Sequence, residues 1–103
     1  MPQFAVIGLD HPPHGMKKRD AVRTEHRAYV KKHAAPIAFV GPMLDADGNQ
    51  CGSLYIFEAE NEQEIRDWLK DEPFVQTGVY ERVIITYFAL GYSRLKQEWP
   101  VLS

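Results

Sequence analysis

A chain of 103 residues, 45% hydrophobic and 25% charged, has the composition of one globular domain: long enough for a single core, too short for two, and neither disordered nor fibrous. Twelve basic against fourteen acidic side chains leave a formal charge of -2, with no block of like charge and no basic stripe interleaved with aromatics, so no nucleic-acid partner is expected. The N-terminal MPQFAVIGLD has no charged leader, no run of about eighteen apolar residues occurs, and the single cysteine, Cys51, has no internal partner; a cytoplasmic protein in a reducing compartment, away from the membrane, is expected.

In chain order, QFAVIGL (residues 3 to 9) predicts a strand, ended by DHPPHG, where two prolines and a glycine forbid regular structure. An amphipathic segment from about Lys18 to His33 predicts a helix stopped by Pro36. PIAFVGPML and CGSLYIFEAE predict two strands joined at Asp47-Gly48, which supplies the positive φ of a hairpin. Asn61 followed by Glu64 is a capping-box signature, and Ile65, Trp68 and Leu69 give the helix behind it one buried face. EPFVQTG predicts a proline-initiated turn or short helical piece ending at Gly78, and YERVIITYFAL a last strand.

The order strand, helix, strand, strand, helix, strand is the split βαβ, ferredoxin-like arrangement: an α+β fold with four antiparallel strands and both helices on one face. It predicts a single domain over residues 1–103, with a core from about 3 to 90. Leu54, Ile56, Ile84 and Ile85 fall on both parities of their strands, so both sheet faces are apolar and the bare one needs cover. A second copy packed face to face is expected, a homodimer, with the tail 91–103 (Tyr92, Leu95, Trp99, Val101) reaching across the partner.

On a wheel of about 100° per residue, Val22, Tyr29, Val30 and His33 share one stripe of the first helix, with His26 in its middle, while Thr24, Arg27 and Lys31 point the other way. An imidazole there is either a core residue with satisfied nitrogens or a general acid/base, which needs an orienting carboxylate. Asp71 and Glu72, held by Pro73, are the candidates. Arg19 and Arg23 extend the stripe and either bind an anionic substrate or pair with surface acids. Ser53 is placed to aim a hydroxyl at the same pocket. His11 and His14 have a metal-like spacing with Asp10 adjacent, but too few ligands converge and no metal is expected. Cys51, beside Gly52, reads as a small apolar filler.

GLDHPPHGMKKRDAVRTEHRAYV resembles the opening of the YCII-like family, whose pattern is G-x-D, a proline-containing loop, spaced arginines, then H-x-x-Y; Asp10, Arg19, Arg23, His26 and Tyr29 match it. GPMLDADGNQCGSLYIFEAE is similar to that family's central hairpin, and EPFVQTGVYERVII to its DPF stretch, so the likeness runs from about Phe4 to Phe88. The resemblance implies a dimeric α/β-barrel protein with a His/carboxylate pair in a pocket as the catalytic element. His26 with Glu72 or Asp71 would be catalytic, and Arg19, Arg23, Ser53 and Phe74 would bind the ligand. Where the family has Asp before the proline this chain has Glu72, whose oxygens reach roughly 1 to 1.5 Å further, and a positioned pair is sensitive to that. Two functions are expected. One is a lyase or isomerase without cofactor acting on a small aromatic or anionic molecule, by analogy with a dehydrochlorinase of chlorinated hydroxyquinols in this fold. The other is a non-catalytic small-molecule-binding or dimerisation module.

Overall fold

The computed structural model describes residues 1–12 and 16–94. Its elements are β1 (Gln3–Asp10), α1 (Met16–Lys32), β2 (Ile37–Leu44), β3 (Gln50–Glu58), α2 (Glu62–Lys70), α3 (Pro73–Gln76) and β4 (Tyr80–Phe88). All neighbouring strands are antiparallel, in the order β2-β3-β1-β4, which is the ferredoxin-like sheet the sequence predicts, with α3 as a short addition. No helix among the described residues is long and apolar enough to cross a membrane.

Alternation divides the sheet. Phe4 and Val6 of β1 with Tyr55 and Phe57 of β3 face the helices and pack against Val30, Ile65, Trp68, Leu69 and Phe74. The opposite face carries the rows Thr86–Ala5–Ile56–Phe39 and Ile84–Ile7–Leu54–Gly41, on which no described helix packs. Ile85 belongs to the helix side, opposite Val6 and against the core, so adjacent isoleucines in β4 serve different faces.

Local signals act where the sequence puts them. Gly48 has φ 85° in the β2–β3 loop, which is tightened by Asp45 Oδ1 accepting from the Asp47 and Asn49 amides at 2.9 and 3.0 Å. Asn61 caps α2 by accepting from the Glu64 amide at 3.0 Å, and the Glu64 carboxylate takes the Glu60 amide, one residue before the cap. Two hydrogen bonds fasten the end of α1 to α2: Tyr29 Oη donates to the Trp68 carbonyl at 2.6 Å, and Trp68 Nε1 to the His33 carbonyl at 2.8 Å. His33 itself is exposed just past the helix, not part of the buried stripe, although its ring tilts against Tyr29. His14 and the tail residues Leu95, Trp99 and Val101 lie outside the described residues; Tyr92 is exposed.

Candidate functional site

The site is built where α1 passes α3. Asp71 closes α2, its amide donating to the Leu69 carbonyl, and Glu72 starts α3 as its N-cap, with Pro73 at the first helical position. The Glu72 backbone is extended (φ -73°, ψ 125°), which turns its side chain back over the start of α3: Oε1 accepts from the Phe74 amide at 3.2 Å and lies in hydrogen-bond contact with Nδ1 of His26. Oε2 receives Tyr55 Oη at 3.4 Å. The His26 ring stacks on Phe74 with centroids 3.7 Å apart and planes 4° from parallel. Glu72 is 0% exposed, whereas the His26 side chain keeps 15% of its surface open. Asp71, the other candidate partner, is at the surface without contact to His26; after burial, its charge is the next cause that raises the Tyr29 phenol pKa.

A second ion pair lies behind the first. Arg19 on α1 grips Asp10 at the end of β1 through Nε to Oδ2 and Nη2 to Oδ1, the latter at 2.9 Å, and the same Nη2 donates to Ser53 Oγ at 2.9 Å. The guanidinium carbon stands 4.9 Å from the Phe74 ring centroid and 5.9 Å from that of Tyr80. Burial works against its charge, but the bonds and charge of Asp10 prevail and raise its pKa above the usual arginine value. Arg19 thus pairs with a buried acid and not a surface one; its Nε and Nη2 are engaged by Asp10 and Ser53, while both Arg19 and Ser53 still line the cavity.

Tyr55 and Tyr80 bridge the two pairs, their hydroxyls 2.8 Å apart. Gly8 makes room for this, since a Cβ there would lie 2.7 Å from the Tyr80 ring. Burial pushes both phenols above their ordinary pKa, and the charge of Glu72 adds to the rise. Among the described residues no buried side-chain nitrogen or oxygen lacks a hydrogen-bond partner.

In front of His26 opens a cavity of about 180 Å³. Its floor and apolar wall are Phe74, Val30, Val40 and Pro42; its polar wall is Arg19, Arg23, Arg27, Gln50 and Ser53. Arg23 Nη2 donates to Asp20 Oδ1 at 2.7 Å and to Gln50 Oε1 at 3.3 Å. Of the residues singled out from sequence, His26, Glu72, Arg19, Arg23, Ser53 and Phe74 are brought together, and Asp71 is not. Tyr55, Tyr80 and Gln50 escape the sequence reading, and Arg27, which the helical wheel sets on the other side from His26, is half-buried in the same cavity wall. The tyrosines meet only through strand register, and the α1 spacing of Arg27 from Arg23 is the one signal that marks it.

An ionised carboxylate only accepts, so in the neutral ring Nδ1 carries the proton and Nε2 presents its lone pair; no described residue occupies Nε2. No group of three or more His, Cys, Asp or Glu among the described residues is placed to hold a metal ion. Cys51 donates weakly to the Met43 carbonyl at 3.6 Å and does not line the cavity.

Fold and pocket define a ferredoxin-like α+β domain of the dimeric α/β-barrel class with a histidine-bearing cavity between its first helix and its sheet. Within that class the chain belongs to the YCII-related domain family, which matches residues 3–89. An uncharacterized protein of Haemophilus influenzae is 33% identical over 93 residues, covering 82% of this chain and 95% of its own length. Among solved structures, 5-chloro-2-hydroxyhydroquinone dehydrochlorinase of Burkholderia phenoliruptrix AC1100, in complex with 2,5-dihydroxybenzoquinone, is 26% identical with a TM-score of 0.78, covering 86% of this chain and 95% of that one. SnoaB, a cofactor-independent oxygenase of Streptomyces nogalater, shares the fold at 9% identity and a TM-score of 0.52, covering 90% of this chain and 95% of its own.

Proposed function

We propose that this protein is a cofactor-independent lyase or isomerase that moves a proton on a small single-ring organic molecule, with His26 as general acid/base and Glu72 holding its ring. The observation that carries the reading is that His26 lines an open cavity, with 15% of its side chain exposed, while a fully buried carboxylate engages its Nδ1. At about 180 Å³ the cavity suits a substituted benzene ring, since an apolar cavity of about 150 Å³ already admits benzene. Phe74, Val40 and Pro42 supply flat and apolar contacts for such a ring.

In the proposed step Nε2 takes the proton of a ring hydroxyl, and Glu72 stabilises the imidazolium that forms. The imidazolium returns that proton to a ring carbon, giving the keto tautomer with no change in composition. Where that carbon carries a halide, loss of a second hydroxyl proton to Nε2 and departure of the halide leave a quinone and one equivalent of acid. The likeness to the dehydrochlorinase supports this second branch. The test is hydrogen exchange at the ring carbons of 1,2,4-trihydroxybenzene in anaerobic D2O, followed by proton NMR. Enzyme-dependent loss of ring signal is expected, falling to background with His26→Asn at an unchanged unfolding midpoint. No enhancement by the wild type, or full enhancement by the variant, overturns the reading.

The working unit in this proposal is a homodimer. The face opposite the helices offers Ile7, Leu54, Ile84 and the exposed Phe39 in adjacent rows, and a second copy covers such a face symmetrically.

A further inference from the structure

Arg19, Arg23 and Arg27 recur every fourth residue on α1, so their side chains line one face, where like charges repel unless each finds an anion. Two of them do. Arg19 is neutralised by Asp10, and Arg23 is shared between Asp20 and Gln50. Arg27 is half-buried in the cavity wall, and among the described residues it makes no ion pair or hydrogen bond. Among the described residues no carboxylate lines the cavity; Asp10 and Glu72 lie behind it, already committed to Arg19 and His26. Among the described residues, the polar wall therefore presents a guanidinium with no counter-charge.

We infer that the ligand supplies it: the cavity takes a small aromatic or enolic carboxylate, whose carboxylate is received by Arg27 with Arg23 beside it, while the ring lies against Phe74 and offers its reacting hydroxyl to His26. Guanidinium forks match carboxylates in shape, and the apolar wall leaves room for one ring. This rests on the proton-transfer reading for the hydroxyl and adds the charge of the substrate, which the chlorinated hydroxyhydroquinone named for the dehydrochlorinase lacks as a carboxylate. Arg27 is a specificity-determining residue.

The experiment compares 2,5-dihydroxybenzoate with 1,4-dihydroxybenzene, the same ring with and without the carboxylate, by isothermal titration calorimetry. The acid is expected to bind at least about tenfold more tightly and to weaken as sodium chloride is raised, while the neutral ring is insensitive to salt. Arg27→Gln removes the preference about tenfold and leaves the neutral ring unchanged; Arg27→Lys restores part of it. Because the Arg27 side chain makes no hydrogen bond or ion pair among the described residues, its variants are expected to keep the wild-type unfolding midpoint. Equal binding of the two ligands, or a preference that survives Arg27→Gln, overturns the inference and leaves the proton-transfer reading standing. Binding of neither overturns both, and an Arg27-dependent preference without ring exchange overturns proton transfer alone.

Discussion

Replacing Asp10 with asparagine tests the claim that the buried Arg19–Asp10 pair holds the fold together. Arg19 is 2% and Asp10 8% exposed, and the pair is bidentate, with Nη2 to Oδ1 at 2.9 Å. In Asp10→Asn the amide oxygen keeps one hydrogen bond, but its NH2 faces guanidinium donors and the buried charge is left without an anion. Breaking such a pair from one side costs about 3–5 kcal/mol. Domains of this size typically hold about 5–15 kcal/mol in total, and each kcal/mol moves Tm by about 4–8 °C, so a fall of about 12–40 °C is expected. Urea unfolding followed by tryptophan fluorescence and by far-UV circular dichroism measures it. Adding Arg19→Met to Asp10→Asn removes the orphan charge, so the double variant is expected to be more stable than Asp10→Asn alone. A loss under about 1 kcal/mol for Asp10→Asn, the range of exposed pairs, would refute the reasoning, as would strict additivity of the two substitutions.

Three further outcomes follow. Tyr55 and Tyr80 have raised pKa values in the folded state, so above the free phenol's pKa of about 10 the unfolded chain loses protons that the native state keeps; stability is full below that pH and falls above it by about 1.4 kcal/mol per pH unit per tyrosine. Urea midpoints between pH 9 and 11 check this, and Tyr55→Phe should flatten the slope. Glu72→Gln keeps an acceptor for Nδ1 and for the Phe74 amide, so the protein should stay folded while the exchange rate falls about 10- to 100-fold, the cost of losing charge assistance at the imidazolium. Ile84→Lys puts a charge on the face opposite the helices and is expected to give the 11.8 kDa monomer by light scattering where the wild type gives twice that mass.

The architecture was legible because each element carries its own local instruction. Pro36 and Pro73, the Asn61 cap, Gly48 and the stripe through Val30 act within a few residues of where they stand, and each has the predicted consequence. The candidate site was legible only in part. His26 and Glu72 are 46 positions apart, yet both stand out from sequence, one as an imidazole on an apolar stripe and the other as a carboxylate fixed by a proline. The remainder depends on register, which a single sequence does not state. Tyr80 meets Tyr55 because β4 and β3 both flank β1, with a register shift between Leu9 and Asp10 that sets Asp10 opposite Tyr80. Arg19 is legible on the stripe, but that it finds a buried acid is decided by the end of β1; Arg27, expected on the other side of the helix, lines the cavity instead.

The extra methylene of Glu72 has a physical place in this arrangement. Three donors converge on its carboxylate from three elements: His26 from α1, the Phe74 amide from α3 and Tyr55 from β3. A side chain that must cap the start of its own helix and still reach across to α1 needs length, and glutamate spans both where the shorter aspartate would retract by roughly 1 to 1.5 Å. Tyr55, itself held by Tyr80, then limits the freedom that the added torsion brings. The site thus keeps a carboxylate on Nδ1 of His26 by a longer arm and a tighter brace. That brace ties it to the Arg19–Asp10 pair, and among the described residues Arg27 stays the cavity-wall cation without an acid.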